Sequence, residues 1–349
     1  MLSIAAKPLD TAMATCRALL PPGVTLRAWR DPSDFVRMAD VFHAARLLDK
    51  TGWEITADTL EADIRGVGLR PDETILLVES EGELVGWGRV TDFGTAPGDG
   101  RMLIHSGHVL PSWRDRGIGR ALLCGLQVEL LRIREAKPDP PGTPAGLHSW
   151  LFAGNAASIE MLEADGYRPF RFMIEMTRPL DAVPDAAAAG LPGGLTTRPV
   201  TPADTLTVCR AMNEAMRDSH GWPGMDDAQL LEMVDHPTRG QIDVWQVAWA
   251  GDRVVGGVLG YIDADENAAL GRARGYTEGI FTLRDWRGRG VASALIAANL
   301  RLLRERGMTE AALSVDTENP SGALSLYERH GFREHDRVVI YRKELPPAA

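Results

Sequence analysis

The chain has 349 residues, 44% of them hydrophobic and 25% charged, with 48 acidic residues against 38 Lys and Arg and a formal net charge of −10. That length suggests two domains, and that charge gives no support to general binding of nucleic acid or of an anionic membrane. No apolar run approaches the ~18 residues of a membrane-spanning helix, and MLSIAAKPLDTAMATCRALL at the start lacks a secretion signal's charge, apolar core and cleavage site, so a cytoplasmic location is expected.

In chain order, TILLVESEGELVGWGRV (74–90) reads as a β-hairpin and HSGHVL (105–110) as a strand. IGRALLCGLQVELLRIREA (118–136) has helical apolar spacing. LHSWLFA (147–153) is a strand, AASIEMLEADG (156–166) a helix ended by glycine, and RFMIEMTRP (171–179) a strand. DAVPDAAAAGLPGG (181–194) has linker composition. The second half opens with a helix over 205–216, after the cap residues of Thr201-Pro-Ala-Asp. A second helix spans 226–236. Strands follow over 243–250 and 252–263, joined at Gly251-Asp252, a hairpin turn signal. TEGIFTL (277–283) is a strand, 291–307 a helix ended by Gly307, 311–317 a strand, 321–331 a helix and 337–345 a last strand. The three cysteines, Cys16, Cys124 and Cys209, fit no disulfide framework, and no metal-site spacing is present, so no metal is expected; Cys124 reads as core packing.

The two halves repeat. Trp113-Arg114-Asp115-Arg116-Gly117-Ile118-Gly119 aligns with Trp286-Arg287-Gly288-Arg289-Gly290-Val291-Ala292, about 173 residues later. Gly52-Trp53 matches Gly221-Trp222, and Asp165-Gly166-Tyr167-Arg168 matches His330-Gly331-Phe332-Arg333, in the same order. A repeat this long is a duplicated domain rather than a solenoid. The expected organisation is an N-terminal module over 1–180, a linker over 181–194 and a C-terminal module over 195–349.

Each loop of glycines and arginines stands directly before a helix. The first N–H groups of a helix lack intrahelical acceptors and carry the positive end of its dipole. Glycine lets a ligand approach the backbone, and arginine adds charge-assisted bonds to phosphate oxygens. The pattern therefore points to a phosphate.

In this setting the motifs resemble the GNAT superfamily of acyl-CoA-dependent N-acetyltransferases. The signature Q/R-x-x-G-x-G/A is present as Arg287-x-x-Gly290-x-Ala292 and as Arg114-x-x-Gly117-x-Gly119. A second family feature, an Asn, a helix, a Tyr and a closing Gly-aromatic pair, is present as Asn319…Tyr327…Gly331-Phe332, and in part as Asn155…Gly166-Tyr167. The tandem layout looks like mycothiol synthases and related two-module acetyltransferases. The resemblance implies an α/β fold of two tandem modules, each a twisted, mostly antiparallel mixed sheet flanked by helices. It implies acetyl-CoA as cosubstrate, a small-molecule amine as acceptor, and no nucleic-acid or membrane partner.

The implied cosubstrate contacts in the second module are Phe281, Thr282, Leu283, Arg287, Arg289, Gly290, Val291, Ala292, Ser293 and Asn319. In the first they are His108, Val109, Leu110, Arg114, Arg116, Gly117, Ile118, Gly119 and Arg120. Tyr327 stands where the family places the acid that protonates the leaving thiolate, and Glu278 where a carboxylate takes the amine proton. The first module has Leu162 and His105 at these positions, so it is expected to be catalytically degenerate. Acceptor contacts are expected around Asn213–Trp222 and Tyr261–Asn267, with Asp218, His220, Asp263 and Asp265 as cation-binding candidates. A non-catalytic acetyl-CoA binder or sensor, a mycothiol synthase-type enzyme, and a nucleotide-binding protein are the alternatives. Against the last, no Lys-Ser/Thr follows the glycines and no three-glycine dinucleotide fingerprint is present.

Overall fold

The computed structural model describes residues 8–49, 51–65, 70–181, 190–219, 221–319 and 322–347. They form two compact units, Met1–Arg171 with Val338–Ala349, and Phe172–Arg337. Most of the expected linker, 182–189, lies outside the described residues.

The first unit contains α1 (Leu9–Arg17), β1 (Val24–Ala28), α2 (Ser33–Asp49), α3 (Ala57–Arg65), α4 (Pro71–Thr74), β2 (Ile75–Ser80), β3 (Glu83–Ala96), β4 (Gly100–Val109), α5 (Ile118–Ala136), β5 (Ala145–Phe152), α6 (Ala156–Ala164) and the start of β6 (Arg168–Pro179). The hairpin β2–β3 turns at Glu81 and Gly82, both at positive φ (49° and 86°), the turn geometry that matches the twist of antiparallel strands. β1 to β4 pair antiparallel in sequence order, and β5 joins β4 in parallel. α5 buries Ile118, Leu122, Leu126 and Leu130, spaced four apart as one helical face, in the core of this unit.

The second unit contains β7 (Thr196–Thr197), α7 (Thr205–Met216), α8 (Asp227–Asp235), β8 (Gln246–Ala250), β9 (Arg253–Val258), α9 (Ala264–Leu270), β10 (Arg274–Tyr276), β11 (Phe281–Thr282), α10 (Val291–Glu305), β12 (Glu310–Asp316), α11 (Ala323–Arg329) and the start of β13 (Arg333–Leu345). β7, β8, β9 and β11 form one antiparallel ladder. β12 pairs with β10 in parallel and with the Met173–Pro179 part of β6 antiparallel. Leu295, Ile296, Leu300 and Leu303 of α10 are fully buried against this framework, each contributing roughly 1.5–3 kcal/mol of burial.

The α/β mixed-sheet architecture expected from the sequence is present. The compact units differ from the contiguous halves at two strands. The last strand of the first half, β6, pairs with β12 in the second unit. The last strand of the chain pairs with β5 in the first unit, from Val338↔Phe152 to Leu345↔Ala145. Each exchanged segment is cored in its new unit: Val339, Tyr341 and Leu345 in the first, Ile174, Met176 and Leu180 in the second.

Two further readings are corrected. Cys16 and Cys124 form a disulfide that ties α1 to α5; both are buried, and their 108-residue separation left no local pattern to read. The segment read as one strand over 277–283 is broken. Only Phe281–Thr282 is strand, Arg274–Tyr276 precedes it, and residues 277–280 interrupt the two.

Candidate active site

The interruption is where the second unit's sheet opens. β10 follows β12 as far as Tyr276↔Ala312, and Thr277 still donates its N–H to the Ala312 carbonyl at 2.8 Å. The Thr277 hydroxyl is held by Asn299 Oδ1 of α10 at 2.9 Å. At Gly279 the backbone turns to φ +55°, and a Cβ there would stand 2.8 Å from Leu259 Cβ, so glycine is required on both counts. Phe281 and Thr282 then pair with β9, and Leu283 N–H reaches the Val255 carbonyl at 2.9 Å. Tyr276 is already bridged to Tyr261, and the Glu278 carbonyl takes the Leu259 N–H, so the chain keeps the β9 side throughout and within about six residues loses β12. Among the described residues neither β11 nor Leu313–Asp316 of β12 has a strand on the side where they diverge. By strand alternation, the Thr282 N–H and C=O point into that split.

Glu278 lies at the break, and its Oε1 accepts the N–H of Ser314 on β12 at 2.8 Å. Burial pushes its carboxyl up to about 8; the Ser314 N–H and the charge of Arg239 oppose the rise, and the nearby Glu175 adds to it. Tyr327 of α11 is 8% exposed, its ring edge-on to Phe332 at 6.4 Å. Burial, then the charge of Glu278, raise its phenol above the ordinary value of 10, so it remains a donor across the neutral range. No hydrogen-bond partner of its hydroxyl stands among the described residues. The Tyr327 phenol, far from Glu278 in sequence, therefore lies within reach of the Glu278 charge.

Beyond the split, Arg284–Trp286 form a short 3-10 turn, and Gly288 (φ 70°) and Gly290 (φ 84°) lead into α10. No side chain caps this helix; Gly290 is its N-cap, and its carbonyl takes the Ala294 N–H. The N–H groups of Val291, Ala292 and Ser293 are left without intrahelical acceptors at the positive end of a 15-residue helix. Such an end is a ready site for an anion. The Arg289 guanidinium lies 5.1 Å from the Trp286 ring and has no ion-pair partner among the described residues.

Arg287 has another occupation. Its Nε donates to the Thr282 carbonyl (3.1 Å), one terminal nitrogen to Asp218 (2.7 Å) and the other to the Ala215 carbonyl (3.0 Å). It clamps the loop to the strand before it and to the end of α7. The first unit repeats the clamp: Arg114 donates to the Val109 carbonyl (3.3 Å) and to both oxygens of Asp49 (2.7 and 2.8 Å). The repeated spacing Arg-x-x-Gly was legible, but the partners Asp49 and Asp218 were not. Ser293 Oγ lies 2.8 Å from His330 Nε2, tying the first turn of α10 to the end of α11. Asn319 sits in the turn after β12, its N–H on the Asp316 carbonyl at 3.1 Å.

Of the acceptor candidates, Asp218 is engaged by Arg284 and Arg287, and Asp263 caps α9 by accepting the Glu266 N–H. Asp265 lies in the first turn of α9, and His220 lies outside the described residues. Trp222 donates its indole N–H to Asn213 at 2.9 Å, and Trp53 packs edge-on to Phe152. Sequence reasoning passed over a stacked pair near Glu278, Tyr261 on Tyr276, with rings 4.7 Å apart; the Tyr276 hydroxyl donates to the buried Glu266.

The first unit repeats the loop with other residues around it. Gly117 (φ 83°) starts α5, Gly119 and Ile118 lie in its first turn, and Arg116 stacks 4.7 Å from the Trp113 ring. Arg120 is exposed. β4 leaves β5 after Ile104↔His148, a second split, which Val109 and Leu110 follow. His108 is wedged between Phe42 and Trp87, each ring 4.8 Å away, and burial lowers it to about 4. His105 is buried with Nε2 2.8 Å from the Tyr167 hydroxyl, and burial lowers it to about 3. Leu162 is 2% exposed in the core.

Comparison with known proteins points to one family. The model of the acetyltransferase (GNAT) family matches residues 38–131 and 209–332, one stretch in each half and together more than half of the chain. A mycothiol acetyltransferase from Geodermatophilus obscurus is 27% identical over 316 residues, 90% of this chain and 95% of its own. Another from Streptomyces avermitilis is 28% identical over 80% of this chain and 83% of its own. The crystal structure of an N-acetyltransferase from Sphaerobacter thermophilus superposes with a TM-score of 0.72 at 27% identity, covering 95% of this chain and 98% of its own. A tandem GNAT protein from the clavulanic acid biosynthesis pathway shares the fold, with a TM-score of 0.64 at 17% identity, covering 93% of this chain and all of its own.

Proposed function

The chain belongs to the GNAT acetyltransferase family and is an acyltransferase, and from this we propose that its second unit moves the acetyl group of acetyl-CoA to a primary amine of a small molecule. The observation that carries the reading is a buried Glu278 at the split between β11 and β12 whose charge reaches the Tyr327 phenol, against His105 and Leu162 at the matching positions of the first unit.

In this reading the diphosphate of acetyl-CoA lies on the free N–H groups of Val291 to Ser293, with Arg289 beside it. The Thr282 main chain in the split faces the pantetheine arm and the thioester, where donors aimed at a developing oxyanion contribute a large part of catalysis. The amine nitrogen attacks the thioester carbon. The C–N bond forms, the C–S bond breaks, and the amine's proton passes to the ionised Glu278. The Tyr327 hydroxyl gives its proton to the leaving thiolate. A base with a proton affinity near neutral pH suits the first transfer, and burial places Glu278 there. Clamped by Asp218, Arg287 holds the loop in place. The first unit, with Leu162 and a buried neutral His105, is the catalytically degenerate one.

Two mycothiol acetyltransferases aligned over most of their length favour a mycothiol synthase-type acceptor as the finer reading. The test is release of free CoA thiol from acetyl-CoA across a panel of primary amines. At least one amine is expected to raise release well above hydrolysis, and Glu278→Gln to remove the increase. Binding of acetyl-CoA with no release by any amine would make the protein a binder or sensor instead.

A further inference from the structure

β6 brings a second carboxylate to Glu278. Ser314 stands opposite Glu175 in the antiparallel β12–β6 pair. Because the Ser314 N–H is spent on Glu278, this is a non-hydrogen-bonded pair, the kind in which facing side chains come closest. One residue thus touches both acids, Glu278 through its main chain and Glu175 across the strands. Among the described residues neither acid has a lysine or arginine on it at salt-bridge distance; an ion pair beside them is Arg274 with Glu310, at 2.8 Å. Around Glu278 the other titratable and charged groups are Arg239 before β8, Tyr261 after β9 and Tyr327 on α11. Glu175 in turn feels Arg274 on β10, Asp336 on β13 and Glu266 on α9.

We propose that Glu175 is a positioning residue that acts through Glu278: opposite Ser314, its carboxylate competes with Glu278 for the negative charge of the split and makes Glu278 the stronger acceptor for the amine's proton. The proposal rests on the assignment of Glu278 as base. Two like charges in a poorly solvated site resist joint ionisation, so the two acids titrate as a coupled pair. Both carboxyls lie above their ordinary range, through burial first and through acidic neighbours. Sequence reasoning missed Glu175 because it is one polar position in the alternating RFMIEMTRP, and nothing local says which sheet that strand enters.

The test removes the charge and keeps the shape. In the wild type, the difference in unfolding free energy from Glu278→Gln reports the ionisation of Glu278 and needs no acceptor. It should stop changing with pH near 8. In a Glu175→Gln background the same difference should level off about one pH unit lower, and the acid limb of kcat/KM, with the most active amine of the panel, should move with it. Glu175→Asp should restore both. Should the Gln variant not fold, Glu175→Thr, at home in a strand, gives the same reading. An unmoved midpoint on neutralising Glu175 overturns the proposal. A moved midpoint together with full turnover in Glu278→Gln overturns the base assignment and leaves the coupling standing.

Discussion

Glu278→Gln exchanges a carboxyl for an amide of the same shape and so tests the base without emptying the site. Burial holds the carboxyl near 8 in the fold. At pH 7 about a tenth of the molecules then carry the ionised form that can take a proton. The wild-type kcat/KM should therefore rise about tenfold from pH 7 to pH 9, with unit slope below pH 8. The acceptor's own amine also titrates, so the profile is measured with two acceptors of different basicity; a limb belonging to Glu278 stays in place. In the Gln variant the rate should fall about 10²–10⁴-fold, and the limb should vanish. The stability sign follows from the same value. The folded carboxyl binds its proton more tightly than the unfolded chain, whose value is 4.5. The stability contribution is full below about 4.5 and is lost as pH rises through about 8, by roughly 5 kcal/mol at most. Relative to wild type, the Gln variant should therefore gain stability on going from pH 5 to 9 in chemical denaturation. Parallel stability curves, or an acid limb that survives in the variant, would refute the reasoning.

Gly290→Glu should abolish acetyl-CoA binding by calorimetry, because it forces a side chain into φ 84° and sets a negative charge beside the free N–H groups of α10; retained affinity in a folded variant would move the cosubstrate elsewhere. Cys16→Ala opens a 108-residue loop, which the chain-entropy estimate equates with about 4–5 kcal/mol; urea unfolding should show a large loss of stability, with kcat unchanged if the second unit does the chemistry.

The two loops were legible because their demands are local. A left-handed backbone before a helix writes itself as glycine, and the duplication wrote it twice. Glu278 and Tyr327 came from the family resemblance, and in the fold the Glu278 charge reaches the Tyr327 phenol. What stayed hidden depends on distant partners. FMIEMTR and VVIYRKE both read as strands with nothing local that names a partner, and pairing alone assigns β6 to β12 and the chain's end to β5. The break at Glu278 had one local sign, Gly279, inside an otherwise ordinary strand. Arg287 read as a phosphate ligand because arginine beside glycine suggests one, yet its three nitrogens are spent on Thr282, Asp218 and Ala215.

The central claim is that the second unit carries out the transfer with Tyr327 as its acid. Tyr327→Phe keeps the ring on Phe332 and removes the hydroxyl alone. Measured as kcat at saturating acetyl-CoA and amine, it should lose about 10²–10⁴-fold while acetyl-CoA affinity stays near the wild-type value, since the lost group acts on the leaving thiolate. Full turnover in Tyr327→Phe, with turnover abolished by a change at His105 or in the Gly117 loop, would place the chemistry in the first unit and contradict the account.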